Sequence, residues 1–392
     1  MLNAILASVL VGALALALFT AVGYPALLRL RARGRRSPVE GALTELDASH
    51  AVATPRVPVS VTAVIATREA PTVILERVRD LRSAEYPQER LDVVVAVDAT
   101  SPYAPAEYQS LLGRAARIIV GDAPGGKAAA LNAGVRAATG DVLLFADSAQ
   151  RFAPTVIPDL VASVGGDGVG AVTGVIAPAA DDPLLDRYWQ YELDLRRRQS
   201  RVHSIICVSG AVYAMRRALW RPMPAGLICD DLFATTQVIM QGWRVAICER
   251  AIATDPREFT REQHFQRKVR TLTGLVQLCA WTPEMLLPWR NPIWFDLVIH
   301  KLTRVLLPYV ALVAALAGGW LAARLGGMFV LWAAAVMITA AFAVVGLKPA
   351  IARQAAWAAR LSTAPVLAMS NALRRRWGVW QPAAVAHLTG TE

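Results

Sequence analysis

From residue 61 to residue 176 the chain repeats one pattern: a short run rich in β-branched residues, an amphipathic stretch, then another such run. The runs cover 61–67, 91–97, 117–120, 142–146 and 169–176, and helical stretches fall between them at 73–83, 106–115 and 127–138. Strand–helix alternation at this spacing predicts an α/β domain built on a mostly parallel sheet. Ligands of such sheets collect at the carboxyl ends of the strands, where Thr67, Asp98, Lys127 and Asp147 would converge. No internal repeat accompanies the pattern.

Outside this region the sequence changes character. Of 392 residues, 55% are hydrophobic, which is too apolar for a purely soluble enzyme. Residues 2–28 are long enough to cross a bilayer, and so are 305–323 and 328–347. No Lys or Arg precedes Arg29, whereas Arg29, Arg31, Arg33, Arg35 and Arg36 follow the first apolar stretch. A cleaved signal peptide has its charge on the other side. The excess of basic residues beside the apolar segments predicts a cytoplasmic central domain and an external N-terminus. Lys301 and Arg304 before the second stretch, and Lys348 and Arg353 after the third, agree with that orientation. Residues 354–373 are interrupted by Arg360, Ser362, Pro365 and Asn371 and read as an interfacial or re-entrant helix.

The net charge of +11 does not form an interleaved basic and aromatic stripe, so nucleic acid is not an expected partner. The arginines beside the apolar segments suit anionic lipid headgroups better. Cys207, Cys229, Cys248 and Cys279 lack CxxC spacing and read as reduced, mostly buried thiols. His203, His264 and His300 have no metal-ligand spacing and read as structural.

Several residues carry candidate chemistry. Gly121 to Lys127 fits the GxxxxGK part of a phosphate-binding loop, but Ala128 stands where Ser or Thr would ligate magnesium. A nucleoside triphosphatase therefore ranks low. Lys127 is one of only four lysines in an arginine-dominated chain, which favours a specific role over a solvated helix-start charge. Asp147 ends an apolar strand, where a carboxylate can hold a metal–diphosphate. Asp98 also ends one, with a turn cap as the competing reading. Asp230 and Asp231 precede a helical stretch, where acids also serve as caps.

The order Gly125-Gly126-Lys127, Leu131-Asn132-Ala133-Gly134, Asp147-Ser148-Ala149, Asp230-Asp231 and Gln266-Arg267-Lys268-Val269-Arg270 resembles the membrane-bound family 2 glycosyltransferases. That group contains the hyaluronan, chitin and cellulose synthases. The resemblance spans roughly residues 61–271. It implies a GT-A-type, Rossmann-like cytosolic domain flanked by transmembrane helices. By the same resemblance Asp231 is the catalytic base. Thr67, Glu69, Asp98, Lys127, Asp147, Arg267 and Arg270 meet the nucleotide-sugar donor, a UDP-sugar by the Asp98 position. Ser209, Gly210 and Asp230 lie on the acceptor side, and Asp147 holds Mg2+ or Mn2+. Two positions depart from the family pattern: Ala149 replaces a second acid, and Thr271 replaces a Trp.

The expected organisation is an N-terminal span with a basic stop (1–36), a linker (37–59), a transferase domain (60–280), an interfacial helix (281–304), two spans (305–350) and an interfacial or re-entrant helix with a tail (351–392). The expected function is an inverting glycosyltransferase acting on a glycan or lipid-linked acceptor at the bilayer, with a homo-oligomer or export partner in view. A non-processive glycolipid transferase, or a catalytically weak subunit that binds nucleotide sugar or a partner synthase, stands as the alternative.

Overall fold

The computed structural model describes residues 1–52, 59–166, 168–177, 183–327 and 349–377. Eight strands form one sheet: β1 (Val61–Thr67), β2 (Leu91–Val97), β3 (Arg117–Val120), β4 (Val142–Ala146), β5 (Arg151–Phe152), β6 (Val169–Ala177), β7 (Val212–Arg216) and β8 (Arg244–Thr254), in the order β3-β2-β1-β4-β7-β6-β8-β5. Four of the seven pairings are parallel and three antiparallel. Six strands, β1 to β4 with β6 and β8, run in one direction, so the sheet is mostly parallel as the alternation predicts, and antiparallel pairing makes it mixed. The reason is β7, which enters antiparallel between β4 and β6. Parallel order holds in the block β3-β2-β1-β4, and chain direction across the sheet reverses at β1/β4.

The helices are α1 (Leu2–Leu18), α2 (Tyr24–Ala32), α3 (Glu40–Val52), α4 (Pro71–Arg82), α5 (Pro105–Leu112), α6 (Lys127–Ala137), α7 (Val156–Val164), α8 (Pro183–Val202), α9 (Asp230–Met240), α10 (Arg261–Trp281), α11 (Trp294–Leu297) and α12 (Thr303–Leu321), followed by a C-terminal helix, Pro349–Leu373. Both sheet faces are covered, which is why β1, β2 and β4 are predominantly apolar instead of alternating. One face packs Ala63, Ile65, Val95 and Leu144 against α4, α5 and α7. The other packs Val64, Leu143, Phe145 and Tyr213 against α6, α9 and α10, and this layer reaches Val305 of α12 and Ala364 and Ala368 of the C-terminal helix.

Among the described residues two helices are long and apolar enough to cross a membrane, Leu2–Ala32 and Trp294–Arg324. The first is α1 and α2 joined through a π turn, and the second is α11 and α12 joined the same way. The segment read as interfacial from residue 281 thus runs, from Trp294 onward, straight into the apolar helix. Residues 328–347, read as a third span, lie outside the described residues. Part of the stretch read as linker is the helix α3, which packs on α7 and is tied down by Arg250 and Asp47 at 2.8 Å.

Polar side chains join the two apolar helices to α8. The Tyr24 hydroxyl donates to Asp296 Oδ1 at 2.9 Å, and Gln199 Nε2 donates to the Tyr24 oxygen at 2.9 Å. Gln199 also lies 2.9 Å from His300 Nδ1, whose Nε2 lies 3.2 Å from Glu192. Tyr24, Gln199, Asp296 and His300 are all buried, so these bonds compensate polar groups that would otherwise be costly to desolvate. His300 is structural, as expected. The four cysteines are free, two buried and two half-buried.

Candidate active site

The turn before α6 is shaped by Gly125 and Gly126, both in the left-handed region at φ +96° and +97°. A side chain at Gly125 would also meet Thr100 Cγ2 at 2.7 Å. Asp98, at the end of β2, fastens the turn: its carboxylate accepts from the Gly126 amide and from the amide and hydroxyl of Thr100. With 3% exposure, Asp98 is committed to holding this loop. Thr67, at the end of β1, accepts from the Glu69 amide at 3.0 Å and likewise shapes a turn. Once the chain enters α6, Gly134 lets the helix lie directly on β1, because a Cβ there would come within 2.6 Å of Val64 Cγ1. Asn132 clamps the helix to the loop before α9, donating to the Met223 carbonyl at 2.8 Å and accepting from its amide at 2.9 Å.

These contacts deliver Lys127, the first residue of α6, to the centre of the site. Its ammonium lies 3.0 Å from Asp147 Oδ1 and 3.1 Å from Asp230 Oδ2. Burial would lower the Lys127 pKa, but Asp147 and Asp230 outweigh it and hold the ammonium firmly charged. The Asp147 side chain is 37% exposed, and no group among the described residues bonds its second oxygen. Asp230, 11% exposed, is more enclosed.

Asp231 is adjacent, on the first turn of α9. Its Oδ1 accepts from the Leu232 amide at 2.8 Å. Burial raises its pKa, and the negative charge of Asp230 adds to the rise, against a smaller opposing pull from Lys127. A carboxyl shifted this way is a better proton acceptor than an ordinary surface carboxylate. Gly210 borders both groups: a Cβ built there would lie 3.5 Å from Asp231 Cβ and 3.8 Å from Lys127 Nζ. Ser209, next to it, is fixed through its amide to Thr173 Oγ1 at 2.9 Å.

Lys127, Asp147, Gly210, Asp230 and Asp231 therefore form one cluster. Thr67 and Asp98 sit in supporting turns beside it. Arg267 and Arg270 stand on α10. The Arg267 guanidinium lies 4.2 Å from the centre of the Phe259 ring, within the electrostatic reach of Asp147. The charge of Arg270 acts on Cys229, the residue just before α9.

Sequence reasoning missed three residues here. Arg257 pairs with Asp255 through Nε at 2.9 Å and Nη2 at 2.8 Å, stands over the same Phe259 ring at 5.2 Å, and acts on both Glu69 and Asp147. Burial raises the Glu69 pKa, and Arg257 opposes that rise. Gln150 donates to Asp255 at 2.8 Å, so the loop after β4 is tied to the loop after β8. Tyr213 is buried, and its hydroxyl has no hydrogen-bond partner among the described residues. Burial, then Asp230, Asp231 and Asp147, push its pKa well above the usual phenol value. The only sequence signal for Arg257 was the run Asp255-Pro256-Arg257-Glu258-Phe259, charged and aromatic, directly before a helix.

The model of the glycosyltransferase-like family 2 matches residues 55–279, more than half of the chain. Among solved structures, a mannosyltransferase from Pyrobaculum calidifontis in complex with GDP-Man and Mn2+ superposes over 96% of this chain and 100% of that one, with a TM-score of 0.66 and 21% identity. Glucosyl-3-phosphoglycerate synthase from Mycobacterium tuberculosis is more distant: 15% identity, 57% of this chain, 79% of that one, TM-score 0.41. No curated protein sequence matches. The first of these likenesses shows the fold, an α/β GT-A-like architecture.

Proposed function

The chain belongs to the glycosyltransferase-like family 2, and from that membership we propose that it is an inverting, membrane-anchored transferase using a nucleoside-diphosphate sugar. The family match is coarser than the synthase group that the motifs resemble. The observation that carries the reading is the Lys127 ammonium between Asp147 and Asp230 with Asp231 beside it, at the strand edge where the chain direction reverses. The mannosyltransferase, in complex with GDP-Man and Mn2+, supports a nucleotide-sugar donor. With the Asp98 carboxylate committed to its turn, the choice between UDP and GDP has no free acid behind it.

In the proposed reaction, Asp231 removes the proton from an acceptor hydroxyl. The acceptor oxygen attacks the anomeric carbon from the face opposite the diphosphate. The bond from that carbon to the diphosphate oxygen breaks, and configuration inverts. The departing nucleoside diphosphate gathers negative charge, which Lys127, Arg267 and Arg270 meet. Guanidinium forks suit phosphate oxygens, and Arg257 adds a fourth cation near Asp147. Tyr213 and Gly210 bound the acceptor side.

A divalent ion fits on limited terms. Among the described residues no group of three His, Cys, Asp or Glu side chains is placed to hold a metal ion by itself. Asp147, at the strand end, presents one carboxylate oxygen that no group among the described residues bonds. That donor set suits Mg2+ or Mn2+ shared with diphosphate oxygens and water, not an ion caged by protein. Such an ion would neutralise charge on the leaving group.

The apolar helices Leu2–Ala32 and Trp294–Arg324 support anchoring in a bilayer, and the arginines after the first support a cytoplasmic catalytic domain. A lipid-linked acceptor or a growing glycan would then meet the site from the membrane side. The test is incubation of purified membranes with labelled UDP- and GDP-sugars side by side, followed by partition into lipid extract and polymer. Transfer of label from one donor supports the reading. Nucleotide binding without transfer from any donor would favour a binding subunit.

A further inference from the structure

Where α2 ends and α8 passes beneath it, a cavity of about 570 Å³ is lined by Arg29, Arg33 and Arg35 from the N-terminal segment and by Arg198 and Arg201 from α8, together with apolar residues such as Leu30. Among the described residues no carboxylate lines it. Arg198 pairs with Asp194 at 2.5 Å, and Arg35 donates to the Val202 carbonyl at 3.0 Å. Arg29, Arg33 and Arg201 have no ion pair among the described residues. Five guanidiniums, one of them neutralised, thus converge on one concave surface. Their mutual repulsion calls for an anion, and guanidinium forks are matched to phosphate oxygens.

The surroundings say what kind of phosphate. Tyr24 and Leu28 turn inward and pack on α8. On the helix's outer side Leu18, Val22, Ala26 and Leu30 follow at four-residue spacing, and Leu18, Val22 and Leu30 are 64%, 59% and 66% exposed. This apolar stripe lies on the C-terminal half of the candidate membrane span and ends beside Arg29 and Arg33. A free phosphate or nucleotide would have no use for it, whereas an acyl chain would lie along it. We propose that the cavity binds the phosphate of an anionic lipid headgroup, with the lipid's tails on the Leu18–Leu30 stripe. Basic pockets beside membrane helices recognise headgroups in this way. The inference rests on the bilayer reading given above.

The cavity shares no lining residue with the candidate active site, yet α8 joins the two. Arg196, between the cavity arginines and the network at Glu192, donates to the Cys207 carbonyl at 2.9 Å and acts electrostatically on Asp231's surroundings. A bound lipid would therefore hold α8, and with it the Arg196 bond to the Cys207 carbonyl, against the membrane helix.

The test uses the full chain in detergent, titrated with equimolar phosphatidylglycerol and phosphatidylcholine and read by native mass spectrometry. Wild type should retain phosphatidylglycerol at roughly tenfold lower concentration or better, since each basic group at a membrane surface contributes on the order of a tenfold factor or slightly less. Arg29→Gln with Arg201→Gln should lose that preference while nucleotide binding stays unchanged, and each single variant should lose part of it. Equal retention of the two lipids by wild type, or an undiminished preference in the double variant, would overturn the proposal. Displacement of phosphatidylglycerol by millimolar inorganic phosphate would reduce the cavity to a simple anion site and overturn the lipid assignment. Carbonate extraction of native membranes separates the underlying reading: release of the chain would sink membrane anchoring itself, whereas a resistant chain without lipid preference sinks only this inference.

Discussion

Lys127 holds together two acids that the sequence places 83 positions apart, Asp147 and Asp230. Its proposed part is to exchange those contacts for the donor's diphosphate. Lys127→Met should weaken nucleotide binding by roughly tenfold to a hundredfold, the range for a lost charge-assisted hydrogen bond, in titrations at fixed metal. An unchanged affinity would make Lys127 a purely structural bridge. Asp230 has a separate, electrostatic consequence. The Asp231 pKa is raised by burial and by the charge of Asp230, and a raised base loses activity at higher pH as the solution is acidified. Asp230→Asn removes the like charge and leaves Lys127 less neutralised. Both effects lower the Asp231 pKa, so the acid limb of the pH–rate profile should move to lower pH. A limb that stays put or moves up would contradict the coupling. Asp147, Lys127 and Asp231 were readable in sequence because a strand-end acid, a rare lysine and an acid at a helix start are local features. The commitment of Asp98 to the Gly126 amide was not, because two readings of a strand-end acid differ only in what lies across the turn.

Among the structural elements, α6 matters most, because it both starts with Lys127 and packs flat on the sheet. Asn132 fixes its middle to the loop before α9. Asn132→Ala would leave the Met223 amide and carbonyl without their partner, at a cost of about 1–3 kcal/mol. Thermal unfolding in detergent should show a lower Tm together with weaker nucleotide binding, as the Lys127 end drifts. An unchanged Tm would mean that the clamp is dispensable. The parallel block β3-β2-β1-β4 followed from the alternation of runs, but the antiparallel entry of β7 did not. Strands buried on both faces carry no mark of direction, and only the connections reveal it. Arg257 escaped notice for a related reason. Its place beside Asp147 depends on the β5–β8 pairing, which brings together loops that are about a hundred residues apart.

For the molecule as a whole, the two apolar helices and the transferase domain form one connected body through the Tyr24–Gln199–His300–Glu192 network. That network could not be read from the sequence, in which Tyr24 and His300 are isolated polar residues within or beside apolar stretches. The orientation argument, by contrast, needs only charge placement. An alkaline phosphatase fusion after Arg36 should be inactive and one near Gly326 active, because the first point is predicted to be cytoplasmic and the second external. The reverse pattern would separate the site from cytosolic donor.

The account stands or falls on Asp231 as the base that activates the acceptor. Asn at this position is nearly isosteric and its amide oxygen can still accept from the Leu232 amide, so Asp231→Asn tests chemistry apart from folding. The decisive measurement is donor-dependent product formation alongside nucleotide binding, for wild type and Asp231→Asn in the same detergent. The account predicts nucleotide affinity close to wild type and a rate lower by about a hundredfold to ten-thousandfold, the usual contribution of general-base catalysis. Wild-type turnover in the Asn variant would contradict it.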